Sequence, residues 1–223
     1  INTSINPISY TFGGSATGIN VTGLPTGVSS IVSGNTVTIS GTPTTTTGSP
    51  FNYTISTSGG SCGTISLNGT ITVNPAATLA LTSAISTTNQ IVCTNTTIIP
   101  ITYTFGNGAT GYTITGLPTG VSHTVSGNTI TINGAPTSTT GSPFSYSIST
   151  TGGSCGTATL NGTITVNPSP TLVLNSTVAT TNQSICINTS INPISYTFGG
   201  SATGVTVSGL PTGVSSIVSG NTV

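Results

Sequence analysis

The sequence contains no lysine, arginine, aspartate or glutamate, and it has a single histidine among 223 residues. An average globular chain is about 25% charged. Nucleic-acid binding needs cationic side chains that neutralise phosphates, so the composition argues against a nucleic-acid partner. Calcium and magnesium sites are built largely from carboxylates, which are absent here. We therefore predict no nucleic-acid partner and no metal site.

Long apolar segments are also missing. No uninterrupted apolar run approaches the ~18–20 residues of a membrane span, so we predict no membrane insertion. The sequence shows no initiator methionine and no signal peptide, and we expect its ends to be cuts in a longer polypeptide.

Because a third of the residues are apolar and strongly patterned, we expect a folded chain rather than a disordered one. Its neutrality removes long-range repulsion between copies, which permits close packing in a fibre or a surface coat.

What the sequence does contain is a repeat of 93 residues without insertions or deletions. Cys62 recurs as Cys155 and Cys93 as Cys186, and the segment GLPTGV occurs three times at this spacing. The first two copies are about 70% identical. A period this long exceeds the 20–50 residues of a solenoid repeat and matches a whole small domain. We therefore expect a string of similar domains.

Prolines that follow a predicted strand mark the domain boundaries. The segment ITVNP ends at Pro75 in the first copy and at Pro168 in the second. Proline cannot continue a sheet ladder, and it stiffens the linker that follows. We predict one domain over 1–75 that lacks its first strand, a complete domain over 76–168, and a third over 169–223 that lacks its second half.

Within each copy, apolar residues alternate with polar ones, as in strands with one buried face. Phe51, Tyr53 and Ile55 illustrate this period of two. Gly34-Asn35 and Asn68-Gly69 are predicted as two-residue hairpin turns. Roughly seven short strands in about 93 residues are typical of an immunoglobulin-like sandwich. The predicted fold class is all-β, with tandem immunoglobulin-like β-sandwich domains.

The four cysteines allow several arrangements. Cys62 and Cys93 could join across the predicted boundary, and Cys93 and Cys155 could join within the complete domain. A zinc site would normally use closely spaced pairs of ligands, unlike the spacings here. Free buried thiols are the remaining alternative. We predict a Cys93–Cys155 disulfide, which would stabilise the domain by roughly 4 kcal/mol on the chain-entropy model.

On this scheme Cys62 and Cys186 pair with cysteines outside the printed sequence. Paired cysteines would place the protein outside the reducing cytoplasm.

His123 is the one conventional general base, and its equivalents in the other copies are Ser30 and Ser216. We predict a solvent-facing strand position for it. A Cys–His catalytic pair would also need an orienting partner, and it could exist in only one copy. We therefore predict no catalytic residue, no cofactor and no enzymatic activity.

The chain resembles the PKD-like and immunoglobulin-like repeats of giant cell-surface proteins from Bacteroidota. The resembling segments are GLPTGV at 23–28, ISGTP at 39–43, FNYTI at 51–55, the region around Cys62, and GTITVNP at 69–75. The second copy has INGAP at 132–136, which keeps the glycine and proline of the turn. The resemblance implies export to the bacterial cell surface and display as a long stalk, adhesin or filament.

Two functions compete at this point. The first is a structural repeat that forms the shaft of an extracellular adhesin or surface filament, whose partners are further copies of the repeat and other filament subunits. The second is a carbohydrate- or ice-binding adhesive module that presents threonine-rich strand faces. Against the second, the residues Tyr10, Phe12, Phe51 and Tyr53 are expected to fill the core, which leaves no aromatic cluster for sugar stacking.

Overall fold

The computed structural model of the chain describes residues 2–223, and its regular secondary structure is almost entirely β-strand. Its only helices in that range are two short 3₁₀ turns, Ile85–Thr88 and Val178–Thr181. The strands are β1 (Ile8–Thr11), β2 (Gly18–Thr22), β3 (Val28–Ser33), β4 (Thr36–Gly41), β5 (Phe51–Ser58), β6 (Ser66–Ile71), β7 (Ala77–Leu81), β8 (Asn89–Cys93), β9 (Ile101–Asn107), β10 (Gly111–Thr115), β11 (Val121–Ser126), β12 (Thr129–Gly134), β13 (Phe144–Thr151), β14 (Thr159–Asn167), β15 (Thr171–Leu174) and β16 (Tyr196–Gly199).

The strands of the second repeat form two four-stranded sheets. One sheet has the order β11-β12-β9-β7 and the other β10-β13-β14-β8. In immunoglobulin nomenclature these are strands D-E-B-A and C-F-G-A′, the arrangement of an immunoglobulin-like sandwich. Strand β8 (A′) runs parallel to β14 (G) over five residue pairs, from Asn89↔Thr163 to Cys93↔Asn167. The predicted all-β fold of tandem immunoglobulin-like domains is confirmed.

The first repeat contains the same strands from B to G. Its sheets have the orders β1-β4-β3 and β2-β5-β6, so β1 (B) and β6 (G) each occupy a sheet edge. The described residues before Ile8 form no strand. In the third repeat, β15 (A) pairs antiparallel with β16 (B).

The fold divides into two compact units whose limits differ from those of the repeats. One unit comprises 1–80, 105–113 and 149–159, and the other comprises 81–104, 114–148 and 160–223. The first unit thus contains the described residues of the first repeat together with residues 76–80, 105–113 and 149–159 of the second. The boundaries at 75 and 168 stay a prediction.

Each sandwich core is filled by the inward side chains of alternating strands. In the first repeat, Val37 and Ile39 of β4 are fully buried, and in the second Ile130 and Ile132 of β12 are their equivalents. Ile148 and Ile164 close the second core from the opposite sheet. This alternation is the period of two read from the sequence.

A hydrogen bond between two tyrosines crosses each core. Tyr10 on β1 and Tyr53 on β5 have their hydroxyl oxygens 2.9 Å apart, and in the second repeat Tyr103 on β9 and Tyr146 on β13 are 3.0 Å apart. These positions lie on strands B and F. Antibody domains join the same two strands, and so the two sheets, with a disulfide. Here phenolic hydroxyls link the sheets, and each satisfies a polar group that the core would otherwise leave unpaired.

One of the two predicted turns is confirmed and the other is wrong. Gly34-Asn35 connects β3 to β4, with Gly34 at a φ of 56°. Asn68-Gly69 instead lies inside β6, where Gly69 is paired with Tyr53. A Cβ at Gly69 would come within 2.7 Å of Cε1 in the Tyr53 ring. Glycine is needed there to leave room for the tyrosine, not to make a turn.

We therefore expect Gly69→Ala to destabilise the first repeat by about 1–3 kcal/mol, as overpacked cores do. The measurement is amide hydrogen exchange of β5 and β6 with increasing denaturant. Gly13→Ala is the matched control, because a Cβ at Gly13 would contact nothing within 4 Å. Equal losses in both variants would contradict the packing argument.

The tyrosine pairs also predict a loss of stability at high pH. Burial, followed by the hydrogen bond to Tyr10, raises the pKa of Tyr53 from 10.0 to about 12. Burial raises the pKa of Tyr146 as well. The folded chain therefore holds these protons more tightly than the unfolded chain. The contribution of Tyr53 to stability is complete below pH 10.0 and is lost as the pH rises toward about 12.

We expect the free energy of unfolding to fall between those pH values and Tyr53→Phe to make the fall shallower. Denaturant titrations at several pH values measure both effects. Tyr196→Phe, outside the two pairs, is the control. An alkaline slope that is unchanged in Tyr53→Phe would contradict the assignment.

Candidate interaction site at the repeat junctions

The first junction, residues 74–78, is packed against loops of the second repeat. The thiol of Cys155 donates to the backbone oxygen of Asn74, with sulfur and oxygen 3.4 Å apart. A Cβ at Gly108 would come within 3.3 Å of the carbonyl carbon of Pro75 and 3.5 Å of the Ala77 nitrogen. The loops after β9 and after β13 therefore lie directly on the chain that leaves the first repeat.

The second junction, residues 167–171, is held from both sides. The Ser169 hydroxyl donates to the Thr94 carbonyl at 2.9 Å, and the Ser169 amide donates to Thr94 Oγ1 at 3.1 Å. The Thr94 amide in turn donates to the Asn167 carbonyl at 2.9 Å. On the other side, a Cβ at Gly200 would lie 3.2 Å from Pro170 Cα. The linker between the second and third repeats is thus clamped by residues of both.

A glutamine in the second position of each A′ segment holds the chain on both sides of that segment. Gln90 is buried, and its side-chain nitrogen donates to the carbonyls of Thr87 and Ile99 at 2.8 Å each, while its oxygen accepts from the Ile99 amide. Gln183 makes the equivalent three bonds to Thr180 and Asn192. Sequence reasoning missed this clamp, although the chain's two glutamines lie one repeat apart.

The cysteines lie at the repeat ends and in loops. Cys62, Cys155 and Cys186 are exposed, and Cys93 is half-buried at the end of β8. All four cysteines are free thiols in the structure, which therefore does not contain the predicted Cys93–Cys155 disulfide. The predicted pairing of Cys62 and Cys186 with cysteines outside the printed sequence stays a prediction.

The position of strand β14 explains why Cys93 and Cys155 are not paired. Cys93 pairs in register with Asn167, the last residue of β14, whereas Cys155 lies in the loop before its first residue, Thr159. A strand of this length extends about 27 Å. Disulfide-bonded residues have Cα atoms within about 7 Å of each other. The strand itself therefore runs between the two cysteines.

His123 lies on β11 opposite Ile132, and its side chain is exposed, as predicted. Among residues 2–223, no three histidine or cysteine side chains form a group that could hold a metal ion. Over the same range, no helix is both long and apolar enough to cross a membrane.

Hydroxyl and amide groups on the exposed strand faces pair with each other across strands. Examples are Ser56 with Ser66 and Ser149 with Thr159, both at 2.8 Å between the hydroxyl oxygens, and Thr70 with Asn52 at 3.0 Å. Such cross-strand pairs stabilise a sheet by a few tenths of a kcal/mol to about 1 kcal/mol each. They occupy the positions where a charged protein would place surface ion pairs.

An apolar cleft of about 190 Å³ opens in the first repeat beside Phe12, Ile19 and Ile65. Small-molecule sites usually measure about 300–1,000 Å³. In the second repeat the equivalents of Phe12 and Ile19 are Phe105 and Tyr112, whose ring centroids lie 5.6 Å apart. The cleft is therefore a position that aromatic packing fills in the next copy.

Comparison with known proteins does not assign the chain to a family. The chain matches no protein-family model, and it matches no curated protein. Among solved structures it is similar to tandem immunoglobulin domains of titin (8% identity, TM-score 0.33, covering 76% of this chain and 91% of that one). It is also similar to the D1-D2 fragment of Rst (12%, 0.42, 72% and 91%). A third similar structure is the N-terminal Ig1-2 module of the Drosophila receptor protein tyrosine phosphatase DLAR (14%, 0.29, 66% and 82%).

The free thiols predict an order of chemical reactivity. In freshly reduced chain, we expect Cys62, Cys155 and Cys186 to be alkylated faster than Cys93, because only Cys93 is partly covered. Timed alkylation with peptide mass mapping measures the four rates, and denatured chain, in which burial is lost, is the control. Joint protection of Cys93 and Cys155 until a reductant is added would instead support the intradomain disulfide.

Proposed function

We propose that the chain is a structural repeat array that forms part of the shaft of an extracellular adhesin or surface filament of a bacterium, without catalysis. The observation that carries this proposal is the packing of the junctions. A shaft transmits force and keeps its length only if its linkers are stiff or are held by packing. Here Ser169 is bonded to Thr94 and packed on Gly200, and Asn74 and Pro75 lie under loops of the next repeat.

The surface supports the same proposal. Outward hydroxyls such as those of Ser56 and Ser66 bond to each other rather than forming a pocket with converging polar groups. A repeat whose surface groups satisfy each other can be copied many times without creating a ligand site. The resemblance to surface repeats of Bacteroidota supports the location outside the cell.

The rigidity of the second junction is directly testable. We expect the amides of Ser169 and Thr171 to have backbone order parameters near those of strands, about 0.85, and Ser169→Ala to lower them toward 0.6, the value that marks flexible backbone. Nuclear magnetic resonance relaxation on the full chain measures this. Ser154→Ala, in an exposed loop, is the control. A linker that is already flexible in the unmodified chain would argue against a shaft.

Two assays distinguish the proposed shaft from the alternative, a carbohydrate- or ice-binding adhesive module. A plain shaft should show no signal on a glycan array and no thermal hysteresis with ice. Specific binding in either assay would favour an adhesive module instead.

A further inference from the structure

The three repeats share a short motif that the proposed shaft function does not explain. The triplet Asn-x-Ser/Thr, in which x is not proline, is the acceptor sequence for sugars linked to asparagine. Nine such triplets occur in the chain, and one position shows the triplet three times, at Asn2, Asn95 and Asn188. The others begin at Asn20, Asn52, Asn68, Asn161, Asn175 and Asn182.

The structure separates the recurring position from the other six. Four of these asparagines lie inside strands β2, β5, β6 and β14. In the first repeat, two strand triplets bond to each other. The Thr54 hydroxyl donates to Asn68 Oδ1 at 2.8 Å, and the Thr70 hydroxyl donates to Asn52 Oδ1 at 3.0 Å. A transferase could reach these groups only by opening the sheet.

The two triplets that follow β15 and the second 3₁₀ turn are also engaged. The side-chain amide of Asn175 donates to the Thr197 hydroxyl, and that of Asn182 donates to the Thr181 hydroxyl. These bonds hold the nitrogen to which a sugar would be attached.

Asn95 lies instead in an exposed turn directly after β8. The Thr96 amide donates to the Cys93 carbonyl at 3.1 Å and closes the turn, and the Asn95 amide donates to the Pro136 carbonyl at 2.7 Å. Backbone groups make the bonds that fix this turn. The side chains of Asn95, Thr96 and Thr97 are exposed. The triplet is therefore presented to solvent on a fixed backbone.

The conformation of the turn explains the asparagine but not the rest of the triplet. Asparagine tolerates a positive φ, and Asn2, Asn95 and Asn188 have φ values of 61°, 64° and 64°. Asn107 also has a positive φ, of 55°, yet the residue two places on is Ala109. At the recurring position that residue differs between copies but always has a hydroxyl: Ser4, Thr97 and Ser190.

The surface around the turn would gain from a hydrated group. Ile91 and Ile99, four residues before and after Asn95, are 74% and 64% exposed. Net charge normally keeps such surfaces soluble, and this chain has no charged side chain to provide it. An attached sugar is bulky and solubilising without carrying charge.

We propose that Asn95 is a glycosylation site, with Asn2 and Asn188 as its equivalents, so that each repeat carries one sugar chain at the turn after A′. The donor is a sugar activated at C1 by a diphosphate, which is linked either to a nucleoside or to a lipid. The site goes beyond the shaft function and does not depend on the rigidity of the linkers.

In the transfer, the side-chain nitrogen of Asn95 forms a bond to C1 of the sugar. The bond between C1 and the diphosphate oxygen breaks, and the diphosphate leaves with its electron pair. The amide nitrogen gives up one proton to a base of the transferase. A carboxamide and a glycosyl diphosphate thus become an N-glycosyl amide, a diphosphate and a proton.

The first test is peptide mapping by mass spectrometry of the full chain recovered from the cells that produce it. We expect sugar on the peptides that contain Asn2, Asn95 and Asn188, and none on those that contain Asn52 or Asn68. An unmodified Asn95, or sugar on the strand asparagines in its place, would overturn the proposal.

Variants produced in the same cells separate the triplet from the turn. Thr97→Ala should abolish the modification of Asn95 and leave that of Asn2 and Asn188 unchanged, and Thr97→Ser should restore it. Thr96→Ala is the matched control, because it changes the exposed middle residue and keeps the triplet. Modification that persists in Thr97→Ala, or that is lost equally in Thr96→Ala, would contradict the assignment.

A reconstituted reaction identifies the donor and needs no variant. Folded full chain without sugar is incubated either with UDP-glucose and a soluble N-glycosyltransferase or with a lipid diphosphate oligosaccharide and a membrane oligosaccharyltransferase. Transfer to Asn95 in one arm supports the site and assigns its donor. Failure in both arms, with a peptide of residues 92–98 modified in parallel, would refute the site. That result would leave the shaft proposal standing, because linker rigidity is measured independently.

Discussion

The tyrosine hydrogen bond that crosses each sandwich is the interaction on which the rest of the domain depends. Tyr53 reaches from strand F to Tyr10 on strand B, and its ring fixes the neighbouring position as Gly69. In the second repeat the equivalent glycine, Gly162, would also bring a Cβ within 2.5 Å of the Thr88 carbonyl. The tyrosine pair therefore sets the distance between the sheets. In the second repeat, the close approach of Gly162 to Thr88 also sets the place of the 3₁₀ turn that leads into A′.

Outside this core, the chain is held by hydrogen bonds between polar groups instead of ion pairs. The glutamine clamp holds the chain between A and A′, and Thr94 at the end of A′ holds Ser169 in the linker. Every step is a hydrogen bond between neutral groups, and no buried polar side-chain atom in residues 2–223 lacks a partner. The junction is thus a continuation of the domain and not a separate tether.

The period of two, the 93-residue repeat and the turn at Gly34-Asn35 made the fold class predictable from the sequence. The second turn was mispredicted because Asn68-Gly69 has the composition of a hairpin turn, and only the bulk of Tyr53 across the strand explains the glycine. The cysteine pairing was also out of reach. A spacing of 62 residues says nothing about which end of β14 each thiol occupies, and that depends on a parallel strand register. Gln90 and Gln183 were visible but carried no recognisable motif.

The hydroxyl pairs on the strand faces have a further consequence for where such a protein can work. Ion pairs weaken in brine and are lost when carboxylates are protonated, because salt screens them and acid neutralises one partner. A pair such as Ser149 and Thr159 has no charge to screen and no proton to gain in that range. These contacts are therefore independent of salinity and acidity, so that one sequence can keep the same hydrogen bonds on its strand faces in fresh water, in sea water and in acid.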